Sequence, residues 1–104
     1  MIDSLKNMLG MGPKADFAKL VKEGAVIVDV RTKEEYRGGH IKGSLNIPLN
    51  AIQHEMKKLP KNKVIITCCA SGMRSASAKN VLQSAGYKEV YNGGGWASLN
   101  QKIH

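Results

Sequence analysis

The sequence predicts an α/β domain, a small and mostly parallel sheet of about four to five strands with helices on both faces. Three observations predict it. Residues 25–30 and 63–68 are near-continuous apolar runs, the composition of strands buried on both sides. Around them lie stretches whose apolar residues recur at helical spacing. Glycine and proline separate the two patterns, so strands and helices alternate and crossover connections must join the strands.

Each element follows in chain order. Ile2, Leu5, Met8 and Leu9 fall at helical spacing before Gly10, Gly12 and Pro13. Residues 1–13 are therefore read as an amphipathic lead-in and residues 14–104 as one folded domain. Asp16 is placed to cap a helix over residues 17–23, with Gly24 as its stop. The strand at 25–30 leads into a short polar segment carrying Glu34, Glu35 and Tyr36, which runs to Gly38-Gly39. Residues 44–47 hold a brief strand before Pro48. Leu49, Ile52, Met56 and Leu59 then repeat as one helix face, closed by Pro60. Residues 63–68 form the central strand, and a helix from Arg74 to Ala85 stops at Gly86. Val90-Tyr91 is a last short strand ahead of Gly93-Gly94-Gly95-Trp96.

At 104 residues, with 42% hydrophobic composition, the chain suits one domain with a real core, expected as a monomer. The formal net charge is +8, but the lysines are scattered and only Lys57, Lys58, Lys61 and Lys63 approach a cluster. That pattern reads as a solvated face, not a nucleic-acid surface, and its potential draws small anions. Cys68 and Cys69 are adjacent and cannot staple distant segments, and no zinc-type spacing is present. No apolar run reaches signal-peptide or membrane-spanning length, so a cytoplasmic protein with reduced thiols is expected.

The chemistry gathers where the central strand ends. A cysteine, a loop of small residues and a helix N-terminus together form an anion cradle. The loop N–H groups lack helical partners, and the helix field favours negative charge, so a thiol there is pushed toward thiolate. Arg74 adds a fixed positive charge at the mouth.

Three stretches carry a family likeness: Val28-Asp29-Val30-Arg31 with Glu35-Tyr36; Gly39-His40-Ile41-Lys42-Gly43-Ser44-Leu45-Asn46-Ile47-Pro48; and Cys69-Ala70-Ser71-Gly72-Met73-Arg74-Ser75. Together with Gly93-Gly94-Gly95-Trp96, they resemble a single-domain rhodanese-like sulfurtransferase. The resemblance implies the family's three-layer fold and a sulfane sulfur carried as a persulfide on Cys69. It implies a small anionic donor such as thiosulfate, an acceptor that is cyanide, a thiol or a thiol protein, and no metal or organic cofactor. Ala70, Ser71, Gly72, Met73, Arg74 and Ser75 would surround the outer sulfur, with Arg74 either binding the donor's sulfonate or bracing the loop through a carboxylate. Asp29, Arg31 and Trp96 would support the site.

A second count competes. From Cys69 the pattern is Cys-x4-Arg, but from Cys68 it is Cys-x5-Arg followed by Ser75, the signature of cysteine phosphatases and arsenate reductases. Neighbouring side chains on a strand point to opposite faces, so one cysteine enters the cradle, and the loop composition favours Cys69. Cys68 then reads as a small buried hydrophobe. A rhodanese-like module that binds partners without catalysis is the third reading. Asp29 is expected to fix the loop by accepting backbone hydrogen bonds, and Arg31 to pair with Glu35 four residues on. His40 reads as a structural imidazole, Trp96 as core or pocket wall, and Tyr36, Tyr87 and Tyr91 as packing.

Overall fold

The computed structural model describes residues 15–104, so the lead-in expected over 1–13 lies outside the described residues. Helix α1 (Phe17–Lys22) opens with Asp16 accepting from the Lys19 N–H at 3.1 Å. Strand β1 (Val26–Asp29) follows, then α2 (Lys33–Arg37), β2 (Leu45–Asn46), α3 (Ile52–Glu55), β3 (Ile65–Cys69), α4 (Met73–Ser84), β4 (Val90–Gly95) and α5 (Trp96–Ile103). The four strands are all parallel, in the order β2-β1-β3-β4.

Alternation along the strands divides two cores. On one face Ile27, Ile66 and Cys68 join Ile41 and Leu99, with Phe17, Leu20 and Val21 of α1 and Trp96 of α5 packed against them. On the other face Val28, Ile65 and Cys69 join Ile52, Leu59, Ala78 and Leu82 from α3, the turn after it and α4. All five residues of β3 are buried, which fits an apolar run at the centre of a parallel sheet.

Four segments depart from the sequence reading. The polar stretch after β1 is a helix, because Thr32 and Glu35 form a reciprocal capping box that starts it. The expected helix over 49–59 is instead three short turns, Leu49–Ala51, Ile52–Glu55 and Met56–Lys58, the outer two of 3₁₀ type. Its backbone opens at Ala51 and Glu55, where ψ is −4°, yet Ile52 and Leu59 still face the core. Strand β4 continues through Asn92 and three glycines. Helix α5 follows directly, buries Leu99 and had no counterpart in the sequence reading.

Candidate active site

Every strand of a parallel sheet delivers its carboxyl end to one rim, and here that rim gathers the expected residues. Strand β3 ends at Cys69, and Ala70, Ser71 and Gly72 turn into α4. Gly72 has φ +106°, a left-handed conformation that other residues rarely adopt. That turn aims the Gly72 N–H at Cys69 Sγ, 2.9 Å away. The Ser75 N–H also points at the sulfur, at 3.4 Å, and the thiol donates to Ser75 Oγ at 3.4 Å. Burial raises the pKa of Cys69, but hydrogen bonds from the Ser75 hydroxyl and from the N–H groups of Ser75, Gly72 and Ser71 outweigh it. The net direction is down from the ordinary thiol value.

Cys68 behaves oppositely. Its side chain lies in the other core beside Ile66 and Leu99, fully buried. Burial, and then the nearby Asp29 charge, push its thiol up to about 12. The Cys-x5-Arg count therefore leads to a protonated thiol on the face away from the loop.

Among the remaining expected residues, Ala70, Ser71 and Met73 are exposed at the mouth, with Met73 79% exposed. Arg74 reaches across to α2 and pairs with Glu35 through two bonds, Nη1–Oε1 at 2.7 Å and Nη2–Oε2 at 3.0 Å. Those bonds and the Thr32 N–H bring the Glu35 carboxyl down to about 2, so the pair stays charged throughout the neutral range. A shallow cavity of about 340 Å³ lies beside Arg74, lined by Val30, Thr32, Pro48, Leu49 and Asn50.

Two expectations about support are corrected. Arg31 does not form its ion pair with Glu35. Its guanidinium grips the Asp29 carboxylate with contacts of 2.8 to 3.1 Å and touches only the backbone oxygens of Glu35 and Gly39. The Glu35 carboxylate is already committed to the Thr32 cap and to Arg74, which leaves Arg31 the shorter reach to Asp29. Asp29, in turn, accepts from the Arg31 N–H at 3.0 Å and holds that turn; it does not hold the cysteine loop. Trp96 packs in the core that holds Cys68, on the face opposite the Cys69 core, with the Arg31 guanidinium 4.7 Å from its ring centroid and Gly39 against its ring edge. His40 bonds the Tyr36 carbonyl through Nδ1 at 2.7 Å and stacks on that tyrosine, as a structural imidazole would.

Three contacts escaped the sequence reading. Thr67 Oγ1 donates to the Ser75 carbonyl at 2.8 Å and ties α4 to β3. Glu35 is the partner of Arg74, 39 positions away in the chain. Asn92 Nδ2 donates to Gly72 O at 3.1 Å, and its Oδ1 receives the Ser75 hydroxyl at 2.6 Å. Asn92 reaches the loop because β4 bulges: Thr67 pairs with Asn92 but Cys69 with Gly95. A Cβ at Gly95 would lie 2.9 Å from Ala70 O, so only glycine lets β4 pass this close to the loop. Among the described residues no cluster of three or more His, Cys, Asp or Glu side chains is placed to hold a metal, and no helix is long and apolar enough to cross a membrane.

These features have known counterparts. A family model described as Rhodanese-like domain matches residues 13–102. The chain is 36% identical over 70 residues to the thiosulfate sulfurtransferase PspE of Escherichia coli, covering 65% of this chain and 67% of that protein. It is 35% identical over 80 residues to the uncharacterized protein YqhL of Bacillus subtilis, covering 76% of this chain and 64% of that one. The chain thus spans about two thirds of the length of these relatives. Among solved structures, a rhodanese-related protein from Thermoplasma volcanium superposes with a TM-score of 0.71 at 31% identity, over 86% of this chain and 91% of that one. A rhodanese with anions from E. coli superposes with a TM-score of 0.67 at 33% identity, over 71% and 89% respectively. Fold, loop and relatives agree: the chain belongs to the rhodanese family.

Proposed function

We propose that the protein is a sulfurtransferase that takes a sulfane sulfur from thiosulfate or a related anionic donor and passes it to cyanide or a thiol through a persulfide on Cys69. The observation that carries this reading is the Gly72 N–H 2.9 Å from the sulfur, with the thiol acidified inside the loop. The Cys69 thiolate attacks the outer sulfur of thiosulfate. A bond forms between the two sulfurs, the donor's S–S bond breaks, and sulfite leaves with the electron pair. The product, Cys69–S–S⁻, carries its charge on the outer sulfur, where the N–H groups from Ala70 to Ser75 and the α4 terminus stabilise it. Cyanide or a thiolate then attacks that outer sulfur, the new bond forms, and the Cys69 thiolate departs to close the cycle. No group in this cycle has to take a proton from Cys69 once the thiolate exists, so the reading needs neither a base nor a metal.

The uptake half-reaction is expected to rise with pH and level off at a midpoint below the ordinary thiol value of 9.0, because only the thiolate attacks. Stopped-flow sulfite release against pH checks this, and a midpoint at or above that value would count against the acidified thiol.

The bidentate pair with Glu35 supports a bracing role for Arg74, since it fixes the guanidinium plane against α2 through one N–H of each terminal nitrogen. Arg74→Ala and Glu35→Gln should each lower kcat/KM by about tenfold, and the double variant no further. Gln keeps the capping-box geometry of α2, so that helix remains. A much larger rise in KM for thiosulfate in Arg74→Ala alone would show that Arg74 binds the donor instead.

A further inference from the structure

Ser75 has a single hydroxyl proton and three acceptors within reach. Asn92 Oδ1 lies at 2.6 Å, Gly72 O at 3.1 Å and the Cys69 sulfur at 3.4 Å. The shortest contact takes the proton, because it has the usual O–H···O length and a neutral sulfur is a weak acceptor. The Ser75 oxygen then turns a lone pair to the sulfur and receives the thiol proton. The orientation of the Asn92 amide is fixed from both sides. The Gly94 N–H, at 2.9 Å, demands an oxygen, and the Gly72 carbonyl, at 3.1 Å, demands an N–H. Asn92 therefore offers Ser75 an acceptor and nothing else.

We infer that Asn92 is a positioning residue that acts through Ser75, drawing the hydroxyl proton away from Cys69 so that it reaches the sulfur only when Sγ carries charge. The inference rests on Cys69 being the nucleophile. In the thiol and in the persulfide Sγ is uncharged, and the Ser75 hydroxyl keeps donating to Asn92 Oδ1. In the thiolate the hydroxyl turns to Sγ, and Asn92 Oδ1 is left with the Gly94 N–H. Giving up the 2.6 Å bond offsets part of what the turned hydroxyl contributes. The thiolate is thus held less tightly than the loop could hold it, and a less stabilised thiolate is the better nucleophile. The same hydroxyl meets both sulfur states of the cycle without a backbone movement.

Other charges near Cys69 are Arg74 of α4 with Glu35 of α2, and the Asp29–Arg31 pair at the end of β1. Strand β4 and the Leu49–Ala51 turn bring no charged side chain, and Cys68 stays protonated. None of these groups changes in the variants below.

The test is the pH midpoint of Cys69 alkylation by iodoacetamide, with Cys69→Ser as the blank. It needs no sulfur donor, so it reads the same whether or not thiosulfate is the substrate, and a change in access alters the rate but not the midpoint. Ser75→Ala should raise the midpoint by about one unit, tenfold less thiolate at a given lower pH. Asn92→Ala should lower it by about half a unit, roughly threefold more thiolate, and should cause no shift in the Ser75→Ala background. Asn92→Val, whose branched side chain suits a strand, should repeat the result if the alanine loosens the fold. A midpoint that rises or stays in the Asn92 variants, or a fall that persists without Ser75, would overturn the inference and leave Asn92 as a brace of the Gly72 backbone.

Discussion

Cys69→Ser should reduce thiosulfate:cyanide turnover to background, at least about a thousandfold, while Cys68→Ala should stay within about threefold of the wild type. Two neighbouring thiols of one strand provide the contrast. One lies among N–H donors and is acidified; the other is sealed in the opposite core and held near 12. A serine at 69 keeps nearly the same size, but its hydroxyl has no base to remove its proton. Steady-state assay of both variants, with far-UV circular dichroism to confirm the fold, decides the matter. Retained activity in Cys69→Ser with loss in Cys68→Ala would reverse the assignment.

Arg31→Ala should destabilise the domain by ~3–5 kcal/mol, the cost of stranding a buried carboxylate. Asp29 is fully buried and Arg31 is 4% exposed, so water cannot take over the lost contacts. Arg31 also donates to the Gly39 carbonyl at 2.7 Å and lies over Trp96, so its removal loosens the joint between β1, α2 and α5. For a domain of this size the melting temperature should fall by roughly 12 °C or more. Arg31→Lys should recover only part of this, because an ammonium cannot span Asp29 and Gly39 in one plane. Thermal denaturation of the three proteins checks the prediction, and an alanine variant within about 1 kcal/mol of wild type would show the pair to be of little consequence.

The parts of this fold that were legible in the sequence are those with one-dimensional signatures. The apolar runs of β1 and β3 announced a buried parallel sheet, Asp16 announced α1, and the small-residue loop before α4 announced the cradle. Segments whose structure depends on distant partners were not. Helix α2 is only five residues long and shows almost no apolar periodicity; its capping box was the readable sign, Thr32 three positions before Glu35. Strand β4 runs through glycines that normally weaken strands, and it holds because β3 and Leu99 pack where a Cβ at Gly93 would clash. At the site, Cys69 and Gly72 could be located from spacing alone. The partners of Arg31 and Arg74 could not: Arg31 has both Asp29 and Glu35 close in sequence, and the carboxylate that meets Arg74 lies 39 positions away. Asn92 gave no signal beyond its place ahead of the glycine run, because a bulge brings it to the loop.

The central claim is that Cys69 carries sulfur as a persulfide. Intact-protein mass spectrometry after brief exposure to thiosulfate, on wild type, Cys68→Ala and Cys69→Ser, tests it most directly. The expected result is the gain of one sulfur atom in wild type and Cys68→Ala, lost on adding cyanide, with no gain in Cys69→Ser. A sulfur adduct that persists in Cys69→Ser, or none on wild type with thiosulfate or with an organic persulfide donor, would contradict the account.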